Sequence, residues 1–199
     1  MKIIFVGANG TIGKRIYEEF APRHEVISVG RTSGDIRADI ASLDSIREMY
    51  KQVGDFDAVV NAAGAGYFGP WDEMDDEKFR IGIDSKLMGQ INLVLEGRNL
   101  INEGGSFTLT TGILSDDPVA GSANLAAVNG AINAFVKPAS LELKRGVRIN
   151  VISPGMVEDA VEAYGPYFPG HIAVSMKRTV AGYVKSVEGF INGEVVRIF

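Results

Sequence analysis

The sequence has no cysteine and only two histidines, His24 and His171, among its 199 residues. The missing thiols exclude disulfide bonds, thiolate catalysis and cysteine-ligated metal sites. Two histidines also disfavour a histidine-rich metal centre, which needs three or four ligands. No apolar run approaches a membrane span, which takes about 20 residues. We therefore expect no metal site and no transmembrane segment.

A clustered basic surface is also missing. The chain carries 20 Lys and Arg against 25 Asp and Glu, a net charge of −5, whereas nucleic-acid binding needs a concentrated positive face. The opening "MKIIFVGANG" has one basic residue and an apolar run that meets glycine at once. This run is too short for the apolar core of a secretion signal. These features predict a cytoplasmic protein that binds neither nucleic acid nor membranes.

The chain does contain a regular alternation of apolar runs of strand length with longer amphipathic segments. Strands are expected at 2–7, 25–30, 56–64, 105–112, 147–155 and 194–199, and helices at 11–20, 42–53, about 75–100 and 123–146. Pro138 is expected to kink the last of these helices. Continuous apolar strands between helices are typical of a parallel sheet covered on both faces. The pattern therefore predicts an α/β protein with a single doubly wound, Rossmann-type domain over residues 1–199.

A glycine-rich loop, "GANGTIG", follows the first strand and places Gly7, Gly10 and Gly13 three residues apart. Glycine permits a tight turn and close backbone approach, and the helix N-terminus offers N–H donors and a positive dipole to a pyrophosphate. The alternative is a turn that only joins strand to helix. The position of the loop, between the first strand and the first helix, favours dinucleotide binding.

The second strand bears on which dinucleotide binds. It ends "SVGRTSGD", so Arg31, Thr32 and Ser33 stand where an NAD-binding protein places an acid for the ribose hydroxyls. Arg31 can instead make charge-assisted hydrogen bonds to a 2′-phosphate. The missing acid favours NADP(H) over NAD(H), although Asp35 could return to the ribose from the same loop.

Together with "NAAG" (61–64), these motifs resemble the short-chain dehydrogenase/reductase family. Asp39-Ile40 looks like the family's adenine-contacting pair, "RINVISPG" like the strand that embraces the nicotinamide, and "GFINGEVVRIF" like its closing strand. The resemblance implies cofactor contacts from Gly7, Asn9, Gly10, Thr11, Ile12, Gly13, Arg31, Thr32, Ser33, Asp39, Ile40, Asn61, Ala62, Ala63, Gly64, Pro154 and Gly155. It also implies a dimer or tetramer. The region after Gly155 leaves little room for a long substrate lid.

Members of this family transfer hydride between the cofactor and a carbonyl or alcohol, with a tyrosine as proton donor and a lysine that lowers its pKa. The chain has no Tyr-x-x-x-Lys sequence anywhere. By the resemblance, Leu125 stands where tyrosine belongs and Asn129 where lysine belongs. Thr111, or else Thr110, falls near the serine position, and Lys86 replaces an asparagine in the preceding helix.

The catalytic candidates are therefore Lys86, Thr111, Asn129 and Tyr67. Lys86 could place positive charge beside a substrate oxygen, or it could be a solvated helix residue with its stem packed on the surface. Tyr67 and Tyr164 flank the expected cleft, and each can equally be an ordinary cleft or surface tyrosine. Two functions remain open: an NADP-dependent oxidoreductase acting on a small carbonyl or alcohol with a rearranged site, or a catalytically silent dinucleotide-binding sensor or scaffold without a substrate.

Overall fold

A computed structural model describes residues 1–199. Its strands are β1 (Lys2–Val6), β2 (Glu25–Gly30), β3 (Ile36–Arg37), β4 (Ala58–Asn61), β5 (Ser106–Thr110), β6 (Arg148–Pro154) and β7 (Val195–Ile198). They form one sheet in the order β3-β2-β1-β4-β5-β6-β7, and every pair is parallel. Strands β2 and β3 lie on one side of β1 and strands β4 to β7 on the other, so the strand order reverses between β1 and β4. A doubly wound sheet binds its ligand in the crevice at this point. The expected α/β class is confirmed.

The helices are α1 (Thr11–Phe20), α2 (Leu43–Val53), α3 (Asp76–Ile81), α4 (Gly89–Gly97), α5 (Ala123–Glu142), α6 (Val161–Tyr164) and α7 (Met176–Glu188). None is both long and apolar enough to span a bilayer. The side chain of Ser42 accepts a hydrogen bond from the Ser45 N–H and caps α2, which satisfies one of the free donors at that end.

Two apolar clusters cover the two faces of the sheet. One contains Ile46 of α2, Leu93 of α4 and Ile132 of α5, and the other contains Phe20 of α1 and Tyr183 of α7. Because both faces are buried, the central strands show continuous burial: every residue of β4 and β5 is buried. The candidate site lies at the carboxyl ends of these buried strands.

Three features differ from the sequence expectations. The helical stretch expected at about 75–100 is interrupted by a π-helical segment, Gly82–Met88, between α3 and α4. Helix α5 continues through Pro138 and ends at Glu142, where the next residue is extended. The short strand β3 and the helices α6 and α7 were not anticipated, and α7 is a full 13-residue element of the fold.

Candidate active site

The phosphate loop has the backbone geometry that its glycines predict. Gly7 has a φ of +89°, and a Cβ there would lie 2.9 Å from the carbonyl carbon of Ala62 in the loop after β4. A Cβ at Gly13 would overlap the carbonyl oxygen of Gly7. Gly10 is the N-cap of α1 and provides no side-chain cap, so the first N–H groups of the helix stay free for an anion. The loop therefore fits a pyrophosphate.

The other residues of this loop have separate surroundings. The Asn9 amide donates to the Ser33 hydroxyl at 2.8 Å and so ties the loop to the turn after β2. Thr11 is exposed at the start of α1, and Ile12 reaches the cavity described below. The loop thus reaches from the turn after β2 to the cavity at the ends of the central strands.

The turn after β2 leaves Arg31, Thr32 and Ser33 exposed. Asp35 does not turn toward the crevice: its carboxylate accepts hydrogen bonds from the Ser28 N–H at 2.9 Å and the Ser28 hydroxyl at 2.6 Å. These hydrogen bonds to Ser28 hold the pKa of Asp35 below its usual range. The possibility that Asp35 replaces the missing ribose-binding acid is not supported by this arrangement.

The two residues of the pair Asp39-Ile40 have different surroundings: Asp39 lies in a turn and Ile40 lies in the core. The Asp39 carboxylate accepts from the Ala41 N–H at 3.0 Å, whereas Ile40 is buried against Gly89 at the start of α4. Asp39 is half-buried and can still meet a ligand, but Ile40 belongs mainly to the apolar cluster beneath it.

The "NAAG" segment lies against the helix that carries Lys86. Asn61 is fully buried; its amide donates to the Ala63 carbonyl at 2.8 Å, and its Oδ1 has no partner. Gly64 has a φ of +131°, and a Cβ there would lie 2.9 Å from the Lys86 Cα. This close approach fixes the π-helical segment directly beside the end of β4. Interruptions of this kind occur often at functional sites.

A cavity of about 410 Å³ opens at the carboxyl ends of the central strands. Its lining comes from six parts of the chain, namely Ile12, Gly64, Gly66, Phe68, Lys86, Thr111, Gly112, Ile113, Leu114, Leu125, Asn129, Pro154, Gly155, Met156, Val157, Ala160, Tyr164 and Phe168. The walls are mainly apolar, as is usual for small-molecule sites. Three of the four catalytic candidates, Lys86, Thr111 and Asn129, therefore share one cavity.

Lys86 is the single charged side chain in this lining. Part of the side chain is exposed, yet the ammonium end lies deep enough that burial lowers its pKa from 10.5 to about 8. No acid contributes to this pKa, and the amine has neither a hydrogen bond nor an ion pair within the chain. An unpaired ammonium in an apolar cavity is costly, and such groups are concentrated at functional sites.

Helix α5 uses its asparagines to hold neighbouring loops. Asn124 is fully buried; it accepts from the Tyr67 N–H at 2.9 Å and donates to the Phe79 carbonyl at 2.7 Å. Asn133 accepts from the Thr111 hydroxyl and donates to the Ser115 hydroxyl, both at 3.0 Å. Two of the polar groups on this helix therefore have a structural role that needs no titration.

Asn129 differs from these two. It is 3% exposed, its amide makes a long 3.5 Å hydrogen bond to the Gly112 carbonyl, and its Oδ1 has no partner. Leu125, one turn earlier, lies so close to Gly66 that a Cβ there would overlap its Cδ2 atom. The positions for the usual phenol and amine thus hold an apolar side chain and an unsatisfied acceptor.

The two threonines at the end of β5 are also distinct. Thr111 lines the cavity, but its hydroxyl proton is directed to Asn133, which leaves the oxygen as an acceptor. Thr110 is buried below and bonds to the Tyr183 hydroxyl at 2.7 Å, while its backbone exchanges two hydrogen bonds with the Gln90 side chain. Of the two, Thr111 is the one placed to meet a ligand.

Residues 156–174 contribute one wall of the cavity. The segment is closed at its base by a bridge between Val157 and Val174, and it contributes Tyr164 and Phe168 to the cavity wall. Tyr167 makes an edge-on contact with Phe68, with ring centroids 5.2 Å apart. Sequence reasoning placed Tyr164 beside the cleft but missed Tyr167 and Phe168; the aromatic cluster in "AYGPYFPGH" was the available signal.

Tyr67 is the candidate that the structure does not bring into the cavity. The Lys78 amine lies 5.4 Å above the Tyr67 ring, and the Tyr67 hydroxyl lies near Gly69, on the side of α3.

Pro154 and Gly155 do line the cavity, and the Gly155 N–H donates to the Ile198 carbonyl at 2.8 Å. No group of three or more His, Cys, Asp or Glu side chains is arranged so that it could hold a metal ion.

The comparison with known proteins agrees with this geometry. A family model described as enoyl-(acyl carrier protein) reductase matches residues 1–188, and solved structures of short-chain dehydrogenases superpose on the whole chain. The chain belongs to the short-chain dehydrogenase/reductase family. Its identification rests on nearly the full length rather than on the phosphate loop alone.

Individual relatives within this family differ in their described roles. A 3-oxoacyl-[acyl-carrier-protein] reductase of Staphylococcus epidermidis is 29% identical over 140 residues, which are 67% of this chain and 57% of that protein. A cyclic-di-GMP-binding biofilm dispersal mediator protein of Escherichia coli K12 is 30% identical over 172 residues, 78% of this chain and 71% of its own. The matched segment thus spans little more than half of the first of these relatives.

Two solved structures give the structural comparison. A protein from Listeria innocua superposes with a TM-score of 0.98, at 45% identity over 100% of both chains. A small-chain dehydrogenase in complex with NADPH superposes with a TM-score of 0.86, at 24% identity over 100% of this chain and 96% of its own. At that identity the second structure supports the fold of this short-chain dehydrogenase/reductase and not its ligand.

Proposed function

We propose that the protein is an NADP(H)-dependent oxidoreductase that reduces a small carbonyl compound and uses Lys86 in place of the usual tyrosine and lysine. The observation that carries this proposal is the unpaired Lys86 amine in the cavity at the strand ends, together with Thr111. The nicotinamide ring of the cofactor, when bound, supplies the hydride. Lys86 donates the proton to the carbonyl oxygen, because a pKa of about 8 keeps the ammonium protonated at neutral pH while easing its loss.

The cofactor-binding residues support the proposal. The free N–H groups of α1 receive the pyrophosphate, and the exposed Arg31 with its neighbouring hydroxyls receives the 2′-phosphate. The unsatisfied Oδ1 of Asn129 offers an acceptor to a hydroxyl of the bound ligand. The Thr111 hydroxyl gives its proton to Asn133, so its oxygen can accept a hydrogen bond from the hydroxyl of the alcohol product.

Lys86→Met tests this proposal. The change keeps the length of the stem and removes the charge, so NADPH affinity should be nearly unchanged while carbonyl-dependent NADPH oxidation falls on the order of 10²- to 10⁴-fold. Lys144→Met, at an exposed position outside the cavity, is the matched control and should keep full activity. Turnover that survives in Lys86→Met would reject the role of Lys86 and direct attention to Tyr164.

A second candidate is a dinucleotide-binding sensor or scaffold without turnover. It is favoured by the tight packing of Leu125 against Gly66, and by the similarity to a cyclic-di-GMP-binding mediator protein. This candidate predicts NADPH or cyclic di-GMP binding by calorimetry, no oxidation of NADPH with any carbonyl compound, and unchanged binding in Lys86→Met. The oligomeric state is a separate proposal: we expect a homodimer or homotetramer, measurable by light scattering.

A further inference from the structure

The proposed function does not explain the charge balance inside the cavity. Lys86 brings one positive charge, and no Asp or Glu lines the cavity. Tyr164 is the only other titratable side chain in the wall, and Asp84, on the same π-helical segment, is exposed. The other lining side chains carry no charge, and most of them, including Phe68, Leu125 and Phe168, are apolar. The protein itself therefore does not neutralise the ammonium, and a ligand with a negative charge would.

The ammonium group also has more donors than one carbonyl oxygen requires. A lysine ammonium carries three N–H donors, and Lys86 uses none of them within the chain. In a 2-oxo acid, the keto oxygen and one carboxylate oxygen lie on the same edge of the molecule. One ammonium can therefore donate a hydrogen bond to each oxygen of the bound acid. The proton directed at the keto oxygen is the one transferred during reduction, and solvent then returns a proton to the amine.

The size and polarity of the cavity limit the rest of the substrate. Its volume of about 410 Å³ also has to admit the nicotinamide ring, which leaves space for a compact molecule. Phe68, Tyr164 and Phe168 also line the cavity and favour a substrate with an apolar or aromatic side chain. We propose that the substrate class is a 2-oxo acid with a compact apolar side chain, recognised through its carboxylate by Lys86; this rests on the proposed oxidoreductase function. Reduction by NADPH adds a hydride to the keto carbon and the Lys86 proton to the oxygen, and yields the 2-hydroxy acid and NADP⁺.

Binding to the protein saturated with NADP⁺ tests recognition without turnover. Calorimetric titration should show that 4-methyl-2-oxopentanoate binds more tightly than its uncharged amide by on the order of ten- to a hundredfold, the range for a charge-assisted contact. Lys86→Met should bind the acid and the amide equally, and Lys144→Met should keep the preference. Above pH 8 the acid should bind with uptake of a proton by Lys86, visible as a dependence of the heat on the buffer used.

The outcomes separate recognition from catalysis. Equal affinity for acid and amide, failure of both to bind, or a preference that persists in Lys86→Met would overturn the 2-oxo acid proposal. Selective acid binding without NADPH oxidation would support the recognition site and reject the oxidoreductase function. Turnover of neutral ketones by a protein that does not bind the acid would do the reverse. If Lys86→Met unfolds, Lys86→Gln provides the same comparison, with NADPH affinity as the check of folding.

Discussion

Removal of the Lys86 charge should make the protein more stable at neutral pH. Each pKa unit corresponds to about 1.4 kcal/mol, so the fall from 10.5 to about 8 places the cost of burying the ammonium at about 3 kcal/mol. Because part of the side chain is exposed, solvent screening reduces the expected gain in Lys86→Met to roughly 1–3 kcal/mol. Methionine also retains the apolar stem beside Gly64. The assay is denaturant unfolding of the wild type and the variant at pH 7.

The predicted difference in stability between the wild type and Lys86→Met should depend on pH. Below pH 8, Lys86 is protonated in both the folded and the unfolded state, and the full cost of burial is present. Between pH 8 and 10.5 the unfolded state binds more protons, so the stability of the wild type rises relative to the variant. The advantage of Lys86→Met should therefore shrink as the pH is raised from 7 to 9.5. A variant that is less stable than the wild type at pH 7, or a difference independent of pH, would refute the burial of an unpaired charge.

Three further changes test other parts of the site. Arg31→Asp should weaken NADPH binding roughly tenfold or more and leave NADH nearly unaffected, because the charge-assisted phosphate contact is lost; equal titration affinities of the wild type for the two cofactors would contradict the assignment. Asn124→Ala should lower the free energy of unfolding by about 2–4 kcal/mol, since the fully buried Asn124 side chain no longer partners the half-buried Tyr67 N–H and the Phe79 carbonyl; thermal unfolding unchanged from wild type would show that the tether is dispensable. Leu125→Tyr combined with Asn129→Lys restores the Tyr-x-x-x-Lys spacing and should raise carbonyl-dependent NADPH oxidation above that of the wild type; no gain would contradict the idea that the missing pair limits turnover.

Much of the fold follows from local sequence patterns. Helix α1 occupies the residues 11–20 expected from its periodicity, and Ser42 caps α2 as expected, because these signals act within a few residues. Helix α7 is different. Its sequence contains Gly182 and several β-branched residues, which are poor helix formers, and the helix is stabilised by packing: Gly182 lies so close to Ile198 that a Cβ there would clash.

The candidate site could likewise be predicted from the sequence only in part. The glycine loop, the Arg31 turn and the loss of the tyrosine and lysine could be predicted from the amino-acid sequence, because each depends on residue type at a fixed spacing. The return of Asp35 to Ser28, the position of Tyr67 outside the cavity and the lack of an acid beside Lys86 became visible in the folded chain alone. The environment of a charged group depends on side chains from distant segments, and no local pattern specifies which of them will surround it.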